Sequence, residues 1–180
     1  MAITATDIVF RLSVITGSAG DSTAQGNVNN ALGKYASTTA MSTGANALFD
    51  DISGAENAAS TVDYRCFFVL NNHATLTLQN AVVYLSAETA GGASIAVATD
   101  NIAASAKGSA SAQAAQIANE TTAPSGVSAF SSPTTAGTGL TLGSLTPGQV
   151  KGVWVRRTAA NTAALDNDGV TLAVTGDTAA

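Results

Sequence analysis

The 180-residue chain has one histidine, His73, and one cysteine, Cys66. Nucleophilic catalysis by a serine or cysteine needs a histidine within reach and an acid to orient it. His73 lies in Asn71-Asn72-His73-Ala74-Thr75, and no Gly-x-Ser-x-Gly elbow is present to supply a partner. It reads as a turn residue. Cys66 falls inside the apolar run Tyr64–Leu70, where a buried, inert thiol is the rule. Activation would need exposure and a nearby cation. Arg65 is adjacent, but neighbours on a strand point to opposite faces.

Two acidic groups stand out, Asp50-Asp51 and Asp166-Asn167-Asp168-Gly169. The second resembles the opening of a calcium loop without its later bidentate glutamate, so a plain turn and a loop cap are the readings adopted. Arg156-Arg157 follows Trp154 and is the one basic pair. Arginine and tryptophan are enriched at protein interfaces, and an intramolecular salt bridge is the equal alternative. The sequon Asn119-Glu120-Thr121 has no meaning without secretion. No phosphate-binding glycine loop, paired-carboxylate site or metal-spaced cluster appears. The expectation is a non-enzyme with no catalytic residue, cofactor or metal.

Composition points the same way. There are 37 alanines, 45 larger apolar side chains and 24 threonines, and charged residues make up 11%. That is too little charge for a disordered acidic tail. Seven Lys+Arg and a net charge of -5 argue against nucleic acid, which needs a basic patch. One cysteine excludes a disulfide scaffold. Met1 to Asp7 lacks the basic start and apolar stretch of a signal peptide, and no run of apolar residues is long enough to span a membrane. The expectation is a chain made in a cytoplasm and soluble there at first. A surface rich in small residues and poor in charge gains by being covered, which suits an assembly component.

The elements that must carry these residues have a period of two. Ile8, Phe10 and Leu12 share a face, with Asp7 and Arg11 opposite. Tyr64–Leu70 is apolar on both faces apart from Arg65, as in an interior strand. Residues 63–86 read as a hairpin of two long strands. Further strands are expected at 93–97, 113–118, 126–130, 150–157 and 170–174, with a short helix possible at 103–115. In 150–157, Val153 and Val155 face one way, Trp154 and Arg156 the other. Short strands separated by Gly, Pro, Asn and Asp predict a single all-β antiparallel sandwich over residues 1–180. Residues 13–61 are unusually long for a connection. They read as an extended arm anchored on a neighbour by Leu48, Phe49 and Ile52, or as a loop folded over its own sandwich.

Several segments in order resemble tailed-bacteriophage virion structural proteins. They include Ile8–Leu12, Leu48-Phe49-Asp50-Asp51-Ile52-Ser53-Gly54, Tyr64–Val69, Ala123-Pro124-Ser125-Gly126-Val127, Trp154-Val155-Arg156-Arg157-Thr158 and Asn167–Leu172. The likeness spans the chain except residues 13–45 and rests on order and number, not on a chemical signature. The Leu70–Leu76 segment and the Leu145-Thr146-Pro147-Gly148-Gln149 turn are also similar to bacterial Ig-like adhesion sandwiches. The virion resemblance implies an Ig-like sandwich on the capsid exterior. There it would decorate and stabilise the shell by bridging major capsid protein subunits, as a trimer or dimer. A tail, neck or fibre-base component is the alternative. Expected subunit or capsid contacts are Leu48, Phe49, Ile52, Trp154, Arg156 and Arg157.

Overall fold

A run whose central residues, Cys66–Leu70, are apolar at odd and even positions alike must be covered on both faces. In the computed structural model, which describes residues 2–17, 23–163, 165 and 168–178, that run is β3 (Val62–Asn71), the middle strand of the larger sheet. The other strands are β1 (Ile8–Val14), β2 (Tyr35–Ala40), β4 (Leu78–Glu88), β5 (Ser94–Thr99), β6 (Ser105–Ala106), β7 (Leu140–Leu145), β8 (Gln149–Thr158) and β9 (Val170–Thr178). One short helix, α1, spans Gly54–Ala59. The larger sheet runs β2-β1-β3-β8-β5, with β6 also on β8; the smaller runs β7-β4-β9. Every pairing is antiparallel. The expected all-β antiparallel sandwich is the observed architecture.

Alternation divides the core into two layers. Phe67 and Val69 of β3, Val153 and Val155 of β8 and Val97 of β5 face Val83 and Leu85 of β4 across the sandwich. Cys66, Phe68, Leu70, Val150 and Trp154 point out through the other face, beneath Leu32, Ala36, Ala114 and Ile117. Each large side chain so buried contributes on the order of 1.5–3 kcal/mol. The outer layer is built from loops. Cys66 N–H donates to Ala31 O, Ile117 N–H to Leu32 O and Gln113 N–H to Lys34 O.

Several expectations are corrected here. The strands expected within 63–86 exist, but β3 and β4 lie in different sheets and do not pair. Their link is an arch between layers. Asn71, fully buried, donates through Nδ2 to Leu76 O and Leu145 O (both 2.8 Å) and accepts from His73 N–H at 3.1 Å. Residues 113–118 and 126–130 are not strands; each contributes only an isolated bridge, Gly33–Gln116 and Asp100–Val127. Gln113 has a reason to leave the strand conformation. Its buried side chain accepts from Ala36 N–H at 2.8 Å and donates to Ala106 O at 2.7 Å. Residues 103–115 hold β6 and turns, not a helix.

The described part of 13–61 packs on its own sandwich. It supplies the end of β1, all of β2 beside it, α1, and the buried side chains Ala31, Leu32, Ala36 and Leu48. This is the second of the two readings offered for the segment.

Candidate functional site

Charged side chains collect at one end of the sandwich. Asp63 and Arg157 are opposite each other across β3 and β8, and Arg65 is two residues further along β3 on the same face. Arg157 Nη2 meets Asp63 Oδ2 at 2.9 Å and lies 3.7 Å from Asp50 Oδ1, while its Nη1 donates to Asp50 O. Arg65 is fully buried; it pairs with Glu120 and donates to Asn29 Oδ1 at 3.1 Å. Asn29 closes the circuit by donating to Asp50 Oδ2 at 3.0 Å. The Phe49 ring lies over both guanidinium groups, 4.7 Å from Arg157 and 5.6 Å from Arg65. Two buried cations are thus matched by three carboxylates, one asparagine and an aromatic face. Breaking such a pair leaves an uncompensated buried charge.

An open cleft of about 570 Å³ lies beside this cluster. Its walls are Met41, the 44–54 segment, Ile95 and Val155 of the inner core, and Val170 and Leu172 at the start of β9. Arg157 is the one basic side chain among the described lining residues, and it is committed to Asp63 and Asp50.

The residues singled out for chemistry are occupied structurally. Cys66 is fully buried, and burial pushes its thiol pKa well up, so it stays protonated and unreactive. His73 Nδ1 accepts from Thr75 N–H at 3.1 Å and Leu76 N–H at 3.0 Å, fixing the arch after β3. Asp50 is held in the arginine cluster, and Asp168 Oδ2 accepts from Ala93 N–H at 2.7 Å. Asp166 and Asn167 lie outside the described residues. Asn119 Oδ1 accepts from the Thr121 and Thr122 hydroxyls in a local turn. Among the described residues no group of three His, Cys, Asp or Glu is placed to hold a metal ion. No helix among them is long and apolar enough to cross a membrane.

The six expected contact residues separate. Phe49 and Arg157 come together in the charged cluster, and Leu48 (7% exposed) sits in the inner core beside them. Ile52 lines the cleft. Trp154 is wholly buried in the outer layer, donating through Nε1 to Asp100 Oδ2 at 3.0 Å, so it presents nothing to a partner. Arg156 stacks its guanidinium 5.3 Å from the Phe130 ring. Asp100 was not singled out by its sequence, yet it accepts three N–H groups: Trp154 Nε1, Ala115 N at 2.7 Å and Ile102 N at 2.8 Å. A lone acid after a strand carries no signal of that role.

No protein-family model matches the chain, and no curated protein or solved structure matches it either.

Proposed function

We propose that the protein is a non-catalytic structural component of a bacteriophage virion, an Ig-like sandwich that decorates the capsid exterior by bridging major capsid protein subunits. One observation carries the non-catalytic half of this reading. Of the side chains able to do chemistry, Cys66, His73, Asp50, Asp63, Asp100, Arg65 and Arg157 are engaged in holding the fold together. The virion half rests on the ordered resemblance of the segments named above. It is supported by a composition poor in charge and rich in small residues.

The mechanism is mechanical. A subunit seated across a seam adds contacts that only the assembled shell offers, and binding one state of the shell stabilises that state by mass action. The subunit acts as an oligomer, dimer or trimer, at a local symmetry axis. A tail, neck or fibre-base position is the second reading, since the resemblance extends to virion structural proteins in general. Sedimenting purified shells with the protein and measuring copies bound per major capsid subunit at saturation tests the reading.

A further inference from the structure

We infer that the free edge of β9 and the cleft beside it form an acceptor groove for one extended segment of a partner protein, apolar at alternate positions and basic at the end that meets the cleft. The inference does not depend on that partner being a capsid protein.

The sheet edges are treated unequally. The outer edge of β2 is met by residues 23–25, through Thr38 N–H to Thr23 O and Gln25 N–H to Thr39 Oγ1, both 2.9 Å. That of β5 is met by the 127–131 segment, with Val97 and Ser131 exchanging both backbone hydrogen bonds. β7 is only six residues long and is broken by a register shift where Gly143 takes φ +83°. β9 is different: nine residues, paired with β4 alone in the sheet order. Ile3 N–H reaches Thr178 Oγ1 at its far end. Along Val170–Thr175 no described strand other than β4 pairs with it. That stretch has no lysine, proline or charge, the features that ordinarily protect an edge from pairing.

The larger sheet extends past the edge of β9. The smaller sheet has three strands against five along the larger one, and β7 packs over β5 and β8. The smaller sheet therefore runs out before it covers β1 and β2. Val170, Leu172 and Val174, with Ile8 and Phe10 of β1 and Met41, pack on the inner core yet are only partly buried. A strand added beside β9, about 4.8 Å away, would lay alternate side chains onto them. The cleft continues this groove between the 41–53 segment and the start of β9.

Charge selects the occupant. Asp51 and Asp168 line the cleft and are exposed, whereas the one basic lining residue is neutralised inside the fold. The chain as a whole carries -5. A segment with lysine or arginine at the end beside the start of β9 complements this rim. A second copy pairing β9 to β9 about a twofold would put both larger sheets on the same side of the joined sheet. Two chains of net charge -5 would then repel, so a basic donated segment fits this edge better than a second copy.

The test uses the full chain and a labelled synthetic peptide, Lys-Val-Thr-Val-Thr-Val-Thr-Val-Lys, followed by fluorescence anisotropy and by amide exchange. Expected are saturable binding, slowed exchange confined to Val170–Thr175 and the facing 41–53 segment, and binding weakened about tenfold at low salt when aspartate replaces the terminal lysines. A peptide with the same side chains but alternate backbone amides N-methylated should not bind, because edge pairing uses main-chain hydrogen bonds. Absence of saturable binding, protection elsewhere on the molecule, or equal binding of the N-methylated peptide would overturn the inference. So would a concentration-dependent dimer that protects Val170–Thr175, which would make a second copy the occupant. Shell binding is not read in this assay, so the two proposals fail separately.

Discussion

Asp100 anchors the outer layer through three hydrogen bonds, one to the indole of Trp154 and two to backbone N–H groups at Ala115 and Ile102. Its carboxylate is 1% exposed, so its removal strands donors that water cannot reach. Asp100→Ala should destabilise the protein by about 3 kcal/mol, the upper end for hydrogen bonds to a charged group, and Asp100→Asn by less. Chemical denaturation followed by the emission of Trp154, the only tryptophan, checks this. An unchanged midpoint in Asp100→Ala would show that the loops over Trp154 are held by packing alone. What could be read of these residues in the sequence follows from their neighbours. Cys66 was legible as an inert thiol because apolar residues flank it on both faces. Trp154 was not legible as interior. Alternation placed it opposite Val153 and Val155, but nothing local says that a loop layer covers that second face.

At the scale of elements, one glycine fixes how that loop layer meets the sheet. Gly33 has φ +90°, and a Cβ there would stand 1.9 Å from Ala115 O and 2.8 Å from the Trp154 ring. Gly33→Ala should therefore cost at least about 2 kcal/mol, combining left-handed strain with overlap against backbone. Gly26→Ala, with nothing within 4 Å of the added methyl, should stay within about 0.5 kcal/mol. Thermal melts of the two variants side by side decide the point.

Helix α1 makes a second prediction. Ser53 Oγ accepts from Glu56 N–H while Glu56 Oε2 accepts from Ser53 N–H at 2.7 Å, and these bonds to Ser53 lower the Glu56 pKa below its ordinary 4.5. A lowered carboxyl pKa stabilises the folded form above the ordinary value. That contribution is lost as pH falls through the folded-state pKa. Protection of the 54–59 amides, taken relative to the intrinsic exchange rate at each pH, should fall in that acidic window while protection of β3 does not. Uniform loss of protection in both would contradict a local cap.

Strand existence was legible where apolar alternation is strong, as in β1, β3, β5, β8 and β9. Tyr35–Ala40 and Leu140–Leu145 were missed because small and polar residues fill them, and their neighbours in the sheets make them strands. The arch between β3 and β4 was read as a hairpin because Asn71-Asn72-His73 punctuates either one. Only the buried contacts of the Asn71 side chain distinguish them.

Taken as a whole molecule, the chain buries four of its charged side chains and pairs them inside the fold. Arg65, Arg157, Asp63 and Asp100 are all at or below 6% exposure, and Ile102 and Leu165 are the only large apolar side chains prominently exposed among the described residues. Residues 13–54 are not a separable arm, since removing them would take away β2 together with Ala31, Leu32 and Leu48 of the two core layers. A contact with a larger assembly would then use the folded surface, where the β9 flank offers a strand edge paired on one side only. The proposal that this surface serves a shell is tested most directly by saturation stoichiometry. Purified expanded capsids lacking the protein are titrated with it, sedimented, and the bound copies counted against the major capsid protein. The account predicts a saturating, fixed ratio repeated over the whole shell, with much weaker binding to unexpanded shells. No binding to shells, or saturation at a single ring of copies per particle, would contradict it, the latter in favour of a tail or neck position.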